Sequence, residues 1–177
     1  QTGFTLLHYA ATRGDRNPSE VAANITPLYL EAKTSLGHTP LHIAAKFGQE
    51  RAIRQLLSAG AKKDARDNNN QTPLSICACY DVEPIIPQLL ADRFIDLEVK
   101  DESGRTPISL AAEKGQVKVL ELLIAHDANK NVLDNSRWTP LFWAAYEGHV
   151  EAVGYLLGRR VDTGIKDATG KTAYDLA

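Results

Sequence analysis

Five histidines, two cysteines and one glycine-rich loop are the residues of this 177-residue chain that most invite a chemical reading. The stretch Gly164-Ile165-Lys166-Asp167-Ala168-Thr169-Gly170-Lys171-Thr172 has the make-up of a loop that cradles phosphates in its backbone amides, but such a loop holds four residues between its glycines and this one holds five. Nucleotide binding is therefore not expected. His8, His38, His42, His126 and His149 are scattered without the paired spacing of metal ligands, and His38 and His42 are separated by a tip and a helix start. Cys77 and Cys79 stand two apart, so on a helix they point away from each other, and neither a disulfide nor a shared metal fits. Cys77 falls at a core position and should be inert, whereas Cys79 is the candidate exposed thiol, with no base placed beside it by any motif. Ser75 and Ser109 lack the strand-to-helix elbow of a nucleophilic serine. The sequence predicts no catalytic residue, no cofactor and no metal.

Carboxylates recur instead of clustering: Asp67, Asp101, Asp134 and Asp167 each open a polar, turn-forming stretch, and a residue that returns with a fixed interval is structural. The interval is set by a longer signature, TLLHYAA at Thr5, TPLHIAA at Thr39, TPLSICA at Thr72, TPISLAA at Thr106, TPLFWAA at Thr139 and TAYDLA at Thr172. Successive threonines are 34, 33, 34, 33 and 33 residues apart. Such a period predicts an elongated array of repeats over residues 1–177, in which each unit touches only its neighbours.

The signature explains how each unit is positioned. Threonine accepts from a free amide of the first helical turn, and the following proline gives up an amide that has no partner there. Ala44 and Ala45, Ala111 and Ala112, and Ala144 and Ala145 let neighbouring helices approach, and Gly14, Gly48, Gly115 and Gly148 then end the helix in a left-handed conformation. A second, amphipathic helix follows, with Ala52, Ile53, Leu56 and Leu57, or Val119, Leu120, Leu123 and Ile124, on its buried face.

These residues resemble the ankyrin repeat, whose period and T-P-L-H-x-A signature cover essentially the whole chain. The resemblance implies an all-α fold of stacked helix-turn-helix units with projecting hairpin tips, and a concave face of inner helices on which partners sit. It also implies that His8 and His42 are structural hydrogen-bonding residues; Ser75, Ser109, Phe142 and Asp175 replace that histidine in the other units, which puts its bonds there in question. Carrying the family's contact positions across places Phe47, Tyr80, Tyr146, Glu147, Glu113, Lys114, Arg105, Gln71 and His38 on the concave side. Asn131 matches an asparagine that intracellular oxygenases hydroxylate in such arrays.

Departures from the repeat carry the remaining information. In the third unit Asp81 replaces the inter-helix glycine, Pro84 and Pro87 enter the second helix, and Asp92-Arg93-Phe94-Ile95-Asp96 carries one extra residue; that helix should start late, near Glu83 or Pro84, or bend. In the first unit Asn17-Pro18-Ser19-Glu20 should cap the second helix late, and Thr34-Ser35 should end it. At the fifth tip Arg137 stands where Gly37, Gly104 and Gly170 stand elsewhere, so it shifts the turn or bears the strain of positive φ, and Trp138 beside it is a candidate exposed aromatic. Trp138, Arg137, Tyr146, Arg105, Tyr80 and Phe47 are the expected partner-binding residues, because aromatics and arginine dominate binding hot spots. Phe47 and Tyr80 have an equally weighted alternative, packing between repeats.

Twenty basic and twenty-two acidic residues leave no charge block suited to nucleic acid or a membrane surface, and no apolar run is long enough to span a bilayer. The sparse cysteines favour a reducing, cytoplasmic setting, the nucleus included, and the sequons Asn24-Ile25-Thr26 and Asn70-Gln71-Thr72 are weighed against as chance matches. The lack of methionine and a last repeat that stops at Ala177 suggest a segment of a longer protein. The expected function is a monomeric, non-enzymatic module that binds another protein or peptide. The alternative is a regulatory or recruiting arm of a larger enzyme or channel.

Overall fold

The computed structural model describes residues 3–13, 27–80, 82–91 and 95–176, and among them every regular element is helical. Gly14, the Asn17–Glu20 cap, Asn24, Asp81 and residues 92–94 lie outside the described residues. The chain divides into two compact units, Gln1–Asp96 and Leu97–Ala177.

The first unit contains α1 (Leu6–Arg13), α2 (Pro27–Leu30), α3 (Pro40–Lys46), α4 (Glu50–Ser58), α5 (Pro73–Tyr80), a 3-10 turn (Glu83–Ile85) and α6 (Ile86–Leu90). The second contains α7 (Pro107–Glu113), α8 (Val117–Ala125), α9 (Pro140–Tyr146), α10 (Val150–Gly158) and a closing 3-10 turn (Ala173–Asp175). Thr39, Thr106 and Thr139 sit in extended backbone just before helices whose first residue is proline, as the signature requires. Gly48, Gly115 and Gly148 then take positive φ at the helix ends. Within each unit α1, α3 and α5, or α7 and α9, pack side by side through fully buried Ala44, Ala45, Ala78, Ala111, Ala112 and Ala144. The outer helices α4 and α8 bury Ala52, Ile53 and Leu56, and Val119, Leu120 and Leu123, while Leu57 and Ile124 stay half-buried at the edge of the stripe.

The third repeat follows the expectation of a late helix. Its backbone first makes the 3-10 turn with Pro84, and α-helix begins only at Ile86. Pro87 thereby falls in the first α-helical turn, where its missing amide breaks no bond, and the helix keeps five residues against nine in α4.

The first repeat corrects an expectation. Thr34-Ser35 does not end a helix, because α2 stops at Leu30 and Thr34 builds a tip. Its Oγ1 accepts from the amides of Leu36 and His38, and its own amide donates to the His38 carbonyl. That geometry is the one the repeating aspartates make elsewhere. Oδ1 of Asp67 accepts from the amides of Asn69 and Gln71, that of Asp101 from Ser103 and Arg105, that of Asp134 from Ser136 and Trp138, and that of Asp167 from Thr169 and Lys171, all at 2.8–3.0 Å. A short acceptor satisfies the inward amides of a five-residue turn, which is why Asp, and once Thr, returns at this position.

Consecutive tips within a unit are also fastened to each other. Asn68 donates its amide to Leu36 O and its side chain to Ser35 O, and Asn135 repeats this on Ser103 O and Glu102 O. A Cβ on Gly37 would lie 2.3 Å from Asn68 Oδ1, and one on Gly104 the same distance from Asn135 Oδ1. Arg137 keeps the left-handed turn at φ 64 and bears the strain; the residue that faces its tip is Ala168, with no amide side chain to collide with. Asn70, at φ 62, fills the same position in the third tip with a residue that tolerates this conformation.

Candidate functional site

Residues that recur are consumed by the scaffold. In the second repeat Thr39 N–H donates to His42 Nδ1 at 3.2 Å, so that nitrogen carries no proton; the proton is on Nε2, which donates to Gln71 O at 3.0 Å. His8 makes the same pair of contacts with Thr5 and with His38 O. Burial pushes the His42 imidazole down to about 4, and burial also lowers His8. The substitutes keep only the local half of the motif. Ser75 and Ser109 face Thr72 and Thr106 at 3.1 and 3.4 Å, and Asp175 accepts from the amide and hydroxyl of Thr172 at 2.7 Å. His149, which has no motif role in the sequence, bridges to Glu113 O at 2.9 Å, and its ring occupies the space a Cβ on Gly115 would need. Cys77 is fully buried and burial pushes its thiol up to about 12, as an inert core residue requires; Cys79 is half-buried.

The non-recurrent residues form a different surface in each unit. In the second unit Arg105, Trp138, Trp143 and Tyr146 come together. Trp138 lies 4.8 Å from Trp143 and 5.0 Å from Tyr146, ring centre to ring centre, and 5.9 Å from Phe142. It is half-buried rather than free at the tip, because a large apolar ring gains more by folding onto its neighbours than by standing in water. At the following tip, burial alone would raise the Asp167 carboxyl; hydrogen bonds from the Thr169 hydroxyl and from the Lys171 and Thr169 amides outweigh burial and hold it low. Arg105 is tied down as well, to Asp101 Oδ2 at 2.9 Å and Glu113 Oε2 at 2.7 Å, with its guanidinium 5.7 Å above the Trp143 ring. Trp143 donates to Asp134 Oδ2 at 3.0 Å. What this cluster offers to solvent is chiefly Tyr146, 59 % exposed, and Arg137, whose Nε reaches Lys166 O at 3.4 Å.

In the first unit the expected residues Phe47 and Tyr80 are about half exposed, at 52 % and 49 %, so neither is sealed between repeats. Lys46 Nζ lies 5.2 Å over the Tyr80 ring. Sequence reading missed Phe4 and Leu36, which are exposed beside Phe47 along one groove. A signal was available: at the tip position of Leu36 the other tips carry Asn69, Ser103, Ser136 and Thr169. His38 Nε2 is 3.3 Å from Asp67 Oδ2, an oxygen that forms no hydrogen bond among the described residues. Burial lowers His38, against the pull of Asp67. Asn131 uses its side-chain oxygen to hold the Asp162 amide at 2.9 Å, the task Glu31 and Glu98 perform for Lys62 and Asn129. Among the described residues no group of three or more His, Cys, Asp or Glu is placed to hold a metal, and no helix is long and apolar enough to cross a membrane.

With paired helices, proline-started inner helices and fastened tips established, the comparison with known families is direct. A family model described as ankyrin repeats (3 copies) matches residues 7–101 and again residues 80–167. The chain belongs to the ankyrin-repeat family. Among curated ankyrin-bearing relatives it is 38 % identical over 93 residues to the human Neurogenic locus notch homolog protein 4, covering 52 % of this chain and 5 % of that protein. It is 33 % identical over 142 residues to the Neurogenic locus Notch protein of Drosophila melanogaster, covering 72 % of this chain and 5 % of that protein. It is 33 % identical over 114 residues to the mouse NF-kappa-B inhibitor delta, covering 63 % of this chain and 35 % of that protein. The chain therefore spans about a third or less of the length of these relatives. Ankyrin repeats are protein–protein interaction modules.

Proposed function

We propose that this chain binds a partner protein or peptide through its inner helices and tips, with Tyr146, Trp138, Arg137 and Arg105 as anchors in the second unit and Phe47 and Tyr80 in the first. One observation carries the reading: threonine, histidine and aspartate of the repeat are spent on internal bonds and its alanines on helix packing, whereas Tyr146, Phe47 and Tyr80, which lie outside the signature, stay about half exposed. A relative whose name is that of an inhibitor of another protein supports the same kind of role. The reading of residues 1–177 as one array is supported by the threonine period, which passes from Thr72 to Thr106 without a break. The near-balance of charge supports a protein partner over nucleic acid, and the two free thiols support a reducing, cytoplasmic setting. The small share of each relative's length that is matched favours, as a second reading, a recruiting arm within a longer protein.

The test is a photo-crosslinking amino acid placed at Tyr146 on the inner side or at exposed Glu121 on outer helix α8, in the host cell. Protein adducts from position 146 and not from 121 are expected. Equal yields, or yields confined to 121, would remove the inner side as the binding face. Once a partner is in hand, Trp138→Ala should weaken binding by about 2 kcal/mol.

A further inference from the structure

One groove of the first unit joins exposed apolar walls to a lysine. It encloses about 280 Å³ and is lined by Phe4, Thr12, Leu36, His38, Lys46 and Phe47 among others. Small-molecule sites run from about 300 to 1,000 Å³ and enclose their ligand, so this volume suits a side-chain anchor of a longer chain better than a cofactor. Three of its walls are apolar and exposed, with Leu36 62 %, Phe47 52 % and Phe4 46 % accessible. Leu36 is the apolar exception at a position that is polar in the other tips.

The charge of the lining has one sign. Among the described residues of the lining it comes from Lys46, since burial lowers His38, and no carboxylate contributes. Asp67 lies behind His38, buried, with one oxygen committed to the amides of Asn69 and Gln71 and the other facing the imidazole. Among the described residues Lys46 has no carboxylate at ion-pair distance, and its ammonium rests over the Tyr80 ring. The second unit answers its own cation differently: Arg105, at the equivalent of His38, is neutralised by Asp101 and Glu113. An apolar groove whose rim cation meets no carboxylate among the described residues is complementary to apolar side chains set between acidic ones.

We infer that this groove docks an extended peptide in which leucine-like anchors alternate with carboxylates, the anchors seated between Leu36, Phe4 and Phe47 and a carboxylate meeting Lys46. The inference rests on the partner-binding reading above and names the chemistry of the partner segment.

The test is fluorescence anisotropy of the full chain with a labelled peptide of alternating Leu and Glu, against the same peptide with Gln for each Glu. The Glu peptide should bind about tenfold tighter at low salt, and the gap should close near molar salt. Phe47→Ala should weaken both peptides, Lys46→Glu only the Glu peptide, and Glu121→Gln on outer helix α8 neither; circular dichroism of each variant checks that it is folded. Equal affinity for the two peptides, or a Lys46→Glu chain that holds the Glu peptide as before, overturns the acidic assignment. Binding of neither peptide overturns the groove. In both cases the crosslinking yield at position 146 still decides the broader reading separately.

Discussion

The two units solve the same stacking problem and leave different remainders. In the second, three conspicuous side chains are turned inward: Arg105 on Asp101 and Glu113, Trp143 on Asp134, and Trp138 on the Trp143 and Tyr146 rings. In the first, the equivalent side chains close less completely. Asp67 Oδ2 faces His38 without a formed hydrogen bond, and Leu36, Phe4 and Phe47 stay open to water. The difference teaches that a repeat position has no fixed role beyond the motif. The residue preceding the threonine is a clasp when it is Arg105 or Trp138, and a half-engaged rim when it is His38.

The sharpest separation of the two should come with acid. His42 has a folded value of about 4 against an ordinary 6.5, so folding favours its neutral form. Its contribution is complete above pH 6.5 and is lost as pH falls through 4, on the order of 3 kcal/mol, with His8 acting in the same direction. In the second unit the corresponding Ser109 and Phe142 do not titrate, and the corresponding Asp175 and the tip residue Asp167, both held low, lose their contribution only below 3.8. Hydrogen exchange at pH 6.5 and at pH 4 should therefore show α3 and α5 losing protection before α7 and α9. Simultaneous loss would mean that the histidine clasp does not govern the first unit.

A smaller effect tests the inward closure of the second unit. Trp143→Phe keeps the ring but removes the donor to Asp134 Oδ2, and should lower stability by about 1–2 kcal/mol in urea titration. An unchanged midpoint would show that water replaces the indole there without penalty. Smallest of all, Arg137→Gly relieves a positive φ of 64 and should raise the midpoint by less than about 1 kcal/mol. A loss instead would mean that the Arg137 contact with Lys166 O outweighs the strain.

Much of this was readable in the sequence because it is local. Threonine before proline, paired alanines, the glycine after each inner helix and the aspartate of each tip act within a few residues, and so does the pressure of Pro84 and Pro87 that delays the third outer helix to Ile86. What stayed hidden links residues about thirty apart. Nothing near Asn68 in the chain announces Leu36 and Ser35 as its acceptors, and nothing near Gly115 announces the His149 ring. Thr34 was misread for a related reason: a hydroxyl at the end of an apolar stretch looks like a helix stop, and its place in the tip series emerges only from the amides of Leu36 and His38. Trp138, expected to stand exposed at the tip, is half-buried against Trp143, and Tyr146 is the more exposed of the rings it touches.

Gly104 and Asn135 fit as lock and key across two successive tips, as do Gly37 and Asn68, and the looser Arg137 faces Ala168. Heredity by duplication must respect that fit. A block of one period copied or transplanted with its boundary at the threonine separates each glycine from its asparagine and can set a bulky residue against an amide, so successful gene rearrangements in this chain would have to move neighbouring tips as matched couples.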